Sequence, residues 1–148
     1  MRRLLLSLLA AAALAPSAVY AQTAAAVAAD MPNAAPTRVV VQVSEADPAR
    51  WNLVLNNVKN LQDDLGAKNV TIEVVAYGPG IGMLKFDAPT NSRVSDAIKA
   101  GVIVSACENT MRNQNLAKAD MHPSVAYVPA GVTEIVRRQR EGWAYLRP

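Results

Sequence analysis

Residues 37–78 read TRVVVQVSEADPARWNLVLNNVKNLQDDLGAKNVTIEVVAYG, and this stretch decides the fold. Val39, Val40, Val41 and Val43 form a short, continuous apolar run, the pattern of a strand covered on both faces, which points to a parallel, buried sheet. After the Ser44-Glu45-Ala46 turn, Asp47 offers a side-chain acceptor to the first free N–H groups of a helix, and Pro48 presets φ at its first position. Trp51, Val54, Leu55, Val58, Leu61 and Leu65 then recur at helical spacing until Gly66. Val70 to Tyr77 reads as a second strand, with Val70, Ile72, Val74 and Ala76 on one face.

The same alternation continues downstream. Gly78-Pro79-Gly80-Ile81-Gly82 reads as a glycine loop, and Asn91 or Ser92 as the cap of a short helix carrying Val94, Ala97 and Ile98 and closed by Gly101. Val102-Ile103-Val104 is a third buried strand, with Cys107 just beyond its end. Thr110–Leu116 reads as a helix and Val125–Val128 as a fourth strand. Val132–Arg140 reads as a last helix with Ile135 and Val136 inward, and Trp143–Leu146 as a fifth strand. Strands alternating with helices predict one α/β domain over residues 37–148, a doubly wound sandwich with right-handed crossovers.

Upstream, Arg2 and Arg3, the apolar stretch Leu4 to Leu14 and the small-residue site Val19-Tyr20-Ala21 predict a secretory signal over residues 1–21. Residues 22–36 are Ala-rich, with Pro32 and Pro36 and no amphipathic period, and read as a flexible leader. The expected location is the periplasm or the exterior. The apolar stretch is too short and too Ala-rich to be kept as a membrane span.

The chain has fifteen Lys and Arg and twelve Asp and Glu, and removing Arg2 and Arg3 with the signal leaves a mature balance of +1. That balance argues against nucleic acid or an anionic membrane as partner. Arg137, Arg138 and Arg140 cluster, but Glu134 and Glu141 interrupt them, as on a solvated helix face. The glycine loop lacks the G-x-G-x-x-G spacing and follows the second strand, so no nucleotide cofactor is expected. One Cys, one His and scattered carboxylates give no metal-ligand spacing. Neither a paired-carboxylate constellation nor a G-x-S-x-G elbow is present.

Chemistry therefore centres on Cys107, a lone thiol in a chain addressed to an oxidising compartment. In an open parallel sheet, ligands sit outside the carboxyl ends of the strands. Ser44 to Asp47, Tyr77 to Met83 and Ser105 to Thr110 reach that edge, so Ser44, Gly78, Gly80, Glu108, Asn109, Thr110 and Arg112 are the site-lining candidates around Cys107. Backbone N–H groups of the following helix favour a thiolate; Glu108 opposes it, and Arg112 offsets Glu108 if it turns inward. The other reading of Cys107 is a small apolar filler at a strand end. His122, before Pro123, reads as an exposed loop histidine rather than a catalytic base.

Val39–Ser44, Val75–Ile81, Ala106–Met111, Tyr127–Val132 and the Gln139 to Leu146 end together resemble the DsrE/DsrF-like family of small sulfur-relay proteins, in its secreted branch. The resemblance implies a three-layer fold with a five-stranded, mostly parallel sheet, assembly into homotrimers or homohexamers, and a cysteine that accepts and passes on a persulfide sulfur to a thiol partner protein. Carried over, that role falls on Cys107. Trp143 and Tyr145 in the last strand are candidates for the subunit contact or for the core. The alternative function is a non-catalytic oligomeric module that binds a small ligand, with Cys107 structural.

Overall fold

The computed structural model describes residues 36–148; the expected signal at 1–21 and all but the last residue of the leader at 22–36 lie outside them. Five strands, β1 (Thr37–Val43), β2 (Val70–Ala76), β3 (Ile103–Cys107), β4 (Ala126–Val128) and β5 (Ala144–Leu146), pair in parallel in the order β4-β3-β2-β1-β5. The helices are α1 (Pro48–Leu65), α2 (Asn91–Lys99), α3 (Glu108–Asn113) and α4 (Gly131–Arg140).

The valine run dictates β1 as expected. Val39, Val41 and Val43 pack with Ile72, Val74 and Ala76 of β2 under α1, while Val40 and Val75 face the opposite way, against Ile135 and Trp143. Asp47 caps α1, its Oδ1 accepting the Ala49 N–H at 2.8 Å, and Trp51, Val54, Leu55 and Val58 form the buried stripe. A cap of this kind is worth about 1 kcal/mol. The left-handed Gly66 ends the helix at φ 82°.

From β1 to β4 the chain steps in one direction across the sheet, then α4 carries it back past β1 to β5. Crossovers of one hand that run in opposite directions put their helices on opposite faces. So α1, α2 and the buried Met111 of α3 belong to one core cluster, and α4 with Ile135 to the other. This is the three-layer α/β sandwich expected from the sequence.

Several local readings differ. The glycine segment is not an open loop: Gly78–Leu84 winds as a 3₁₀ helix, started by Pro79, and buries Ile81, Met83 and Leu84. Thr90, not Asn91 or Ser92, precedes α2, and its fully buried hydroxyl donates to Met83 O at 3.3 Å instead of capping. β3 continues three residues past Val104, because the small Ser105 and Ala106 extend the pairing with Val75 and Ala76. Cys107 is therefore the last residue of the strand. α3 starts at Glu108 and stops at Asn113, earlier than the expected helix.

On α4 Ile135 is buried, but Val136 faces solvent. Arg138 turns inward from the expected solvated face and pairs with buried Glu73. Trp143 joins the core, whereas Tyr145 is exposed and donates its hydroxyl to Gln42 Oε1 at 2.7 Å.

Candidate functional site

The chain leaving β3 turns onto one face of the sheet and the chain leaving β4 onto the other, so the switch point of this fold lies between these two neighbouring strands. Cys107 ends β3 there, in register with Val128 of β4. Alternation along β3 puts Ala106 under α3 and turns Ser105 and Cys107 toward α4. The first turn of α4 then meets the sulfur: the Gly131 N–H donates to Cys107 Sγ at 3.2 Å.

Only glycine permits this approach. A Cβ at position 131 would lie 2.9 Å from Tyr77 Cβ and 3.3 Å from Cys107 Cβ. The helix N-terminus consequently sits on the thiol with its partial positive charge.

From the other side, the Gly78 N–H donates to Thr110 Oγ1 at 2.9 Å, which leaves the hydroxyl hydrogen free to point elsewhere. Burial pushes the Cys107 thiol up. The Thr110 hydroxyl pulls it down, followed by the N–H groups of Gly131, Thr110 and Asn109, and the balance falls below the ordinary cysteine range. The Asn109 N–H is shared with Pro129 O at 3.2 Å and acts least. Cys107 is 4 % exposed, so its anion is held by donors rather than by water.

Of the residues singled out in the sequence, Thr110 and Asn109 act on Cys107, and Gly78 holds the Thr110 hydroxyl. Glu108 instead lies beside Lys118, 4.0 Å away, and its charge acts on Tyr127, whose hydroxyl it helps to keep protonated after burial has done most of that. Arg112 donates to Asn109 Oδ1 at the surface. The groups that tune the thiol are therefore neutral donors, and neither charged neighbour is among them.

Gly80 packs against the end of β1, not the sulfur. Ser44, also at the end of β1, accepts from Gln42 Nε2 at 3.1 Å and gives its N–H to Glu45, which pairs with Arg147. Gly131 and Tyr77 are the site neighbours that the sequence did not single out. A glycine opening the last helix straight after Pro129-Ala130 was the available signal for Gly131.

His122 is buried, not exposed. Its Nδ1 accepts the Ser124 N–H at 3.2 Å, which leaves Nε2 to donate to Ser95 Oγ at 2.7 Å, and it makes no hydrogen bond to Cys107. Among the described residues no group of three His, Cys, Asp or Glu side chains could hold a metal ion, and no helix is long and apolar enough to cross a membrane. A groove of about 470 Å³ between α1 and α2, lined by Leu55, Val58, Gln62, Arg93 and Ala97, lies on the face away from the Cys107 side chain.

No protein-family model and no curated protein matches the chain. Among solved structures, it is 44 % identical to the protein of unknown function MTH1491 from Methanobacterium thermoautotrophicum, over 76 % of this chain and 99 % of that one, with a TM-score of 0.73. The conserved protein of unknown function BT1422 from Bacteroides thetaiotaomicron shares the fold at 13 % identity and a TM-score of 0.64, over 78 % of this chain and all of that one. The ychN protein from E. coli shares it at 10 % identity and 0.59, over 76 % and 99 %. By its identity to MTH1491 over nearly the whole of that protein, and with a parallel α/β sheet of the DsrE/YchN-like type, the chain belongs to the same family as MTH1491.

Proposed function

We propose that the protein is an exported sulfur carrier of the sulfur-relay kind, with Cys107 as the atom that accepts and passes on sulfur. The observation that carries this reading is the Gly131 N–H on the sulfur at the switch point of the sheet. A single thiol suits a carrier, whereas a dithiol oxidoreductase needs two. In the first step the Cys107 thiolate attacks the outer sulfur of a donor persulfide R–S–SH. A new S–S bond forms as the donor's S–S bond breaks, giving Cys107–S–SH and the thiolate R–S⁻. In the second step an acceptor thiolate attacks the outer sulfur of Cys107–S–SH, takes it with its proton, and returns Cys107 as thiolate. Neither step changes the total oxidation state, so no cofactor is needed.

Burial of Cys107 favours a second reading, a small-ligand-binding module in which the thiol is only packed. Intact mass after incubation with a sulfane-sulfur donor separates the two. One added sulfur on the wild type and none on Cys107→Ser is the expected result. A wild type that gains no sulfur, and whose thiol reacts with a reagent near neutral pH only after denaturation, establishes the packed reading.

The same proposal includes export through residues 1–21 to the periplasm or beyond, a thiol or persulfide partner protein, and a homotrimer or homohexamer. Exposed Val132, Val136 and Tyr145 supply apolar surface for the subunit contact. Light scattering at micromolar concentration is expected to give three or six times the protomer mass, and a monomer mass removes the oligomer from the reading.

A further inference from the structure

Glu73 is a carboxylate in the middle of the central strand, 1 % exposed, and Cys107 chemistry as described above makes no use of it. Its Oε1 accepts the Ser105 hydroxyl at 2.7 Å, and its Oε2 accepts Arg138 Nε at 2.5 Å. Arg138 Nε also lies 2.9 Å from Glu134 Oε1, and the guanidinium rests on the Trp143 ring, 4.3 Å from its centroid. Desolvation cancels most of what such a buried pair gains, so stability alone is a poor reason for an ion pair where a valine would pack. What an ion pair with fixed geometry provides is register.

The register in question is that of α4 over the sheet. Gly131 and Arg138 lie on the same sheet-facing stripe of α4, two helical turns or about 10 Å apart. Below them, Cys107 and Ser105 are two residues apart on one face of β3. The helix is thus held to the sheet at two levels, by Arg138 on Glu73 with Ser105 beneath, and by Gly131 on Cys107.

We propose that Glu73 and Arg138 are positioning residues for Cys107: their buried pair sets the height of α4 that brings the Gly131 N–H onto the sulfur. The proposal rests on the reading of Cys107 as a working thiolate, not on the transfer of sulfur from it. A shift of α4 along or away from the sheet lengthens and misaligns the 3.2 Å N–H···S contact, while the less directional hydrophobic packing of Ile135 persists.

The test is the titration of the lone thiol, followed by thiolate absorbance with Cys107→Ser as blank and by alkylation rate. The charged and titratable groups around the site are Glu73 and Tyr77 from the β2 side, Glu134 and Arg138 on α4, and Glu108 and Arg112 on α3. Removing the Glu73 charge acts through space to make the thiol more acidic, and the unpaired Arg138 pushes the same way. Loss of position acts oppositely. A lost hydrogen bond to a charged acceptor, about tenfold or more, outweighs these two screened charge effects, so in Glu73→Gln the midpoint is expected to rise and alkylation at pH 7 to slow about tenfold.

An unchanged or lowered midpoint in folded Glu73→Gln overturns the proposal, whatever happens to stability. Should that variant not fold, Arg138→Lys, which keeps the charge and loses the guanidinium geometry, is expected to raise the midpoint, and an unchanged value there is equally fatal. A wild type that titrates like a free cysteine sinks the reading of the site itself, whereas absence of a persulfide adduct with a normal Glu73→Gln shift sinks only the carrier function.

Discussion

Gly80→Ala is expected to lose about 3 kcal/mol of stability and about 10 °C in Tm, among the largest effects of any single methyl group in this chain. A Cβ at this position would stand 2.4 Å from Val43 O, 2.6 Å from Val43 C and 2.7 Å from Ser44 N. All three are backbone atoms at the end of β1, so no rotamer change relieves the contact. The 3₁₀ segment must move away from the strand, and with it the fully buried Ile81, Met83 and Leu84. Urea unfolding of the two proteins measures this; equal midpoints would show that the segment is not seated on β1 as described. Residue 80 entered the sequence reading as a wall of the site, and its effect on Cys107 is expected to be indirect, through Gly78 and Thr110.

Gly131→Ala is the variant expected to damage the site most. Its Cβ would meet the Cβ and Cδ1 of Tyr77, at 2.9 and 3.2 Å, and the Cβ of Cys107. Lifting α4 to relieve the overlap costs about 2 kcal/mol and withdraws the N–H from the sulfur. The thiol then titrates higher. The consequence for stability has a definite sign, because the folded wild-type thiol is depressed relative to the unfolded chain, where cysteine sits near 8.5. A depressed group contributes stability that is fully present above the unfolded pKa and is lost as pH falls through the folded one. The stability gap between wild type and Gly131→Ala should therefore widen as pH rises from neutral toward about 9, and flatten beyond. A gap independent of pH, measured by urea midpoints at a series of pH values, would mean that the helix end does nothing for the thiolate.

The elements were legible because their causes are local. The valine run of β1 needs no partner to declare itself buried, and Asp47-Pro48 with the Trp51 to Leu65 spacing declares a helix without reference to the sheet it packs on. Right-handed crossovers then make the α/β sandwich a consequence of element order. Where local readings failed, a distant residue had overruled them. The helix expected to be capped by Asn91 or Ser92 follows Thr90 instead, whose hydroxyl goes to the buried Met83 carbonyl, His122 was covered by the packing of its loop beside Ser95, and Arg138 was drawn inward by a carboxylate 65 residues away.

By itself the sequence determined the strands and main helices, the lone thiol, and its place at the carboxyl edge of the sheet. The tertiary structure alone decided what surrounds that thiol. Glu108 and Arg112 lie one and five residues from it along the chain yet turn away from it, because the direction of a helical side chain depends on the turn on which it falls. Gly131, 24 residues on, reaches the sulfur, and Gly78 reaches Thr110 beside it, because parallel strands bring together loops that the chain keeps apart. Spacing along a chain fixes periodicity and therefore which face is buried, but the donors around one atom are fixed by strand order and helix height, which arise only when the whole sheet is assembled.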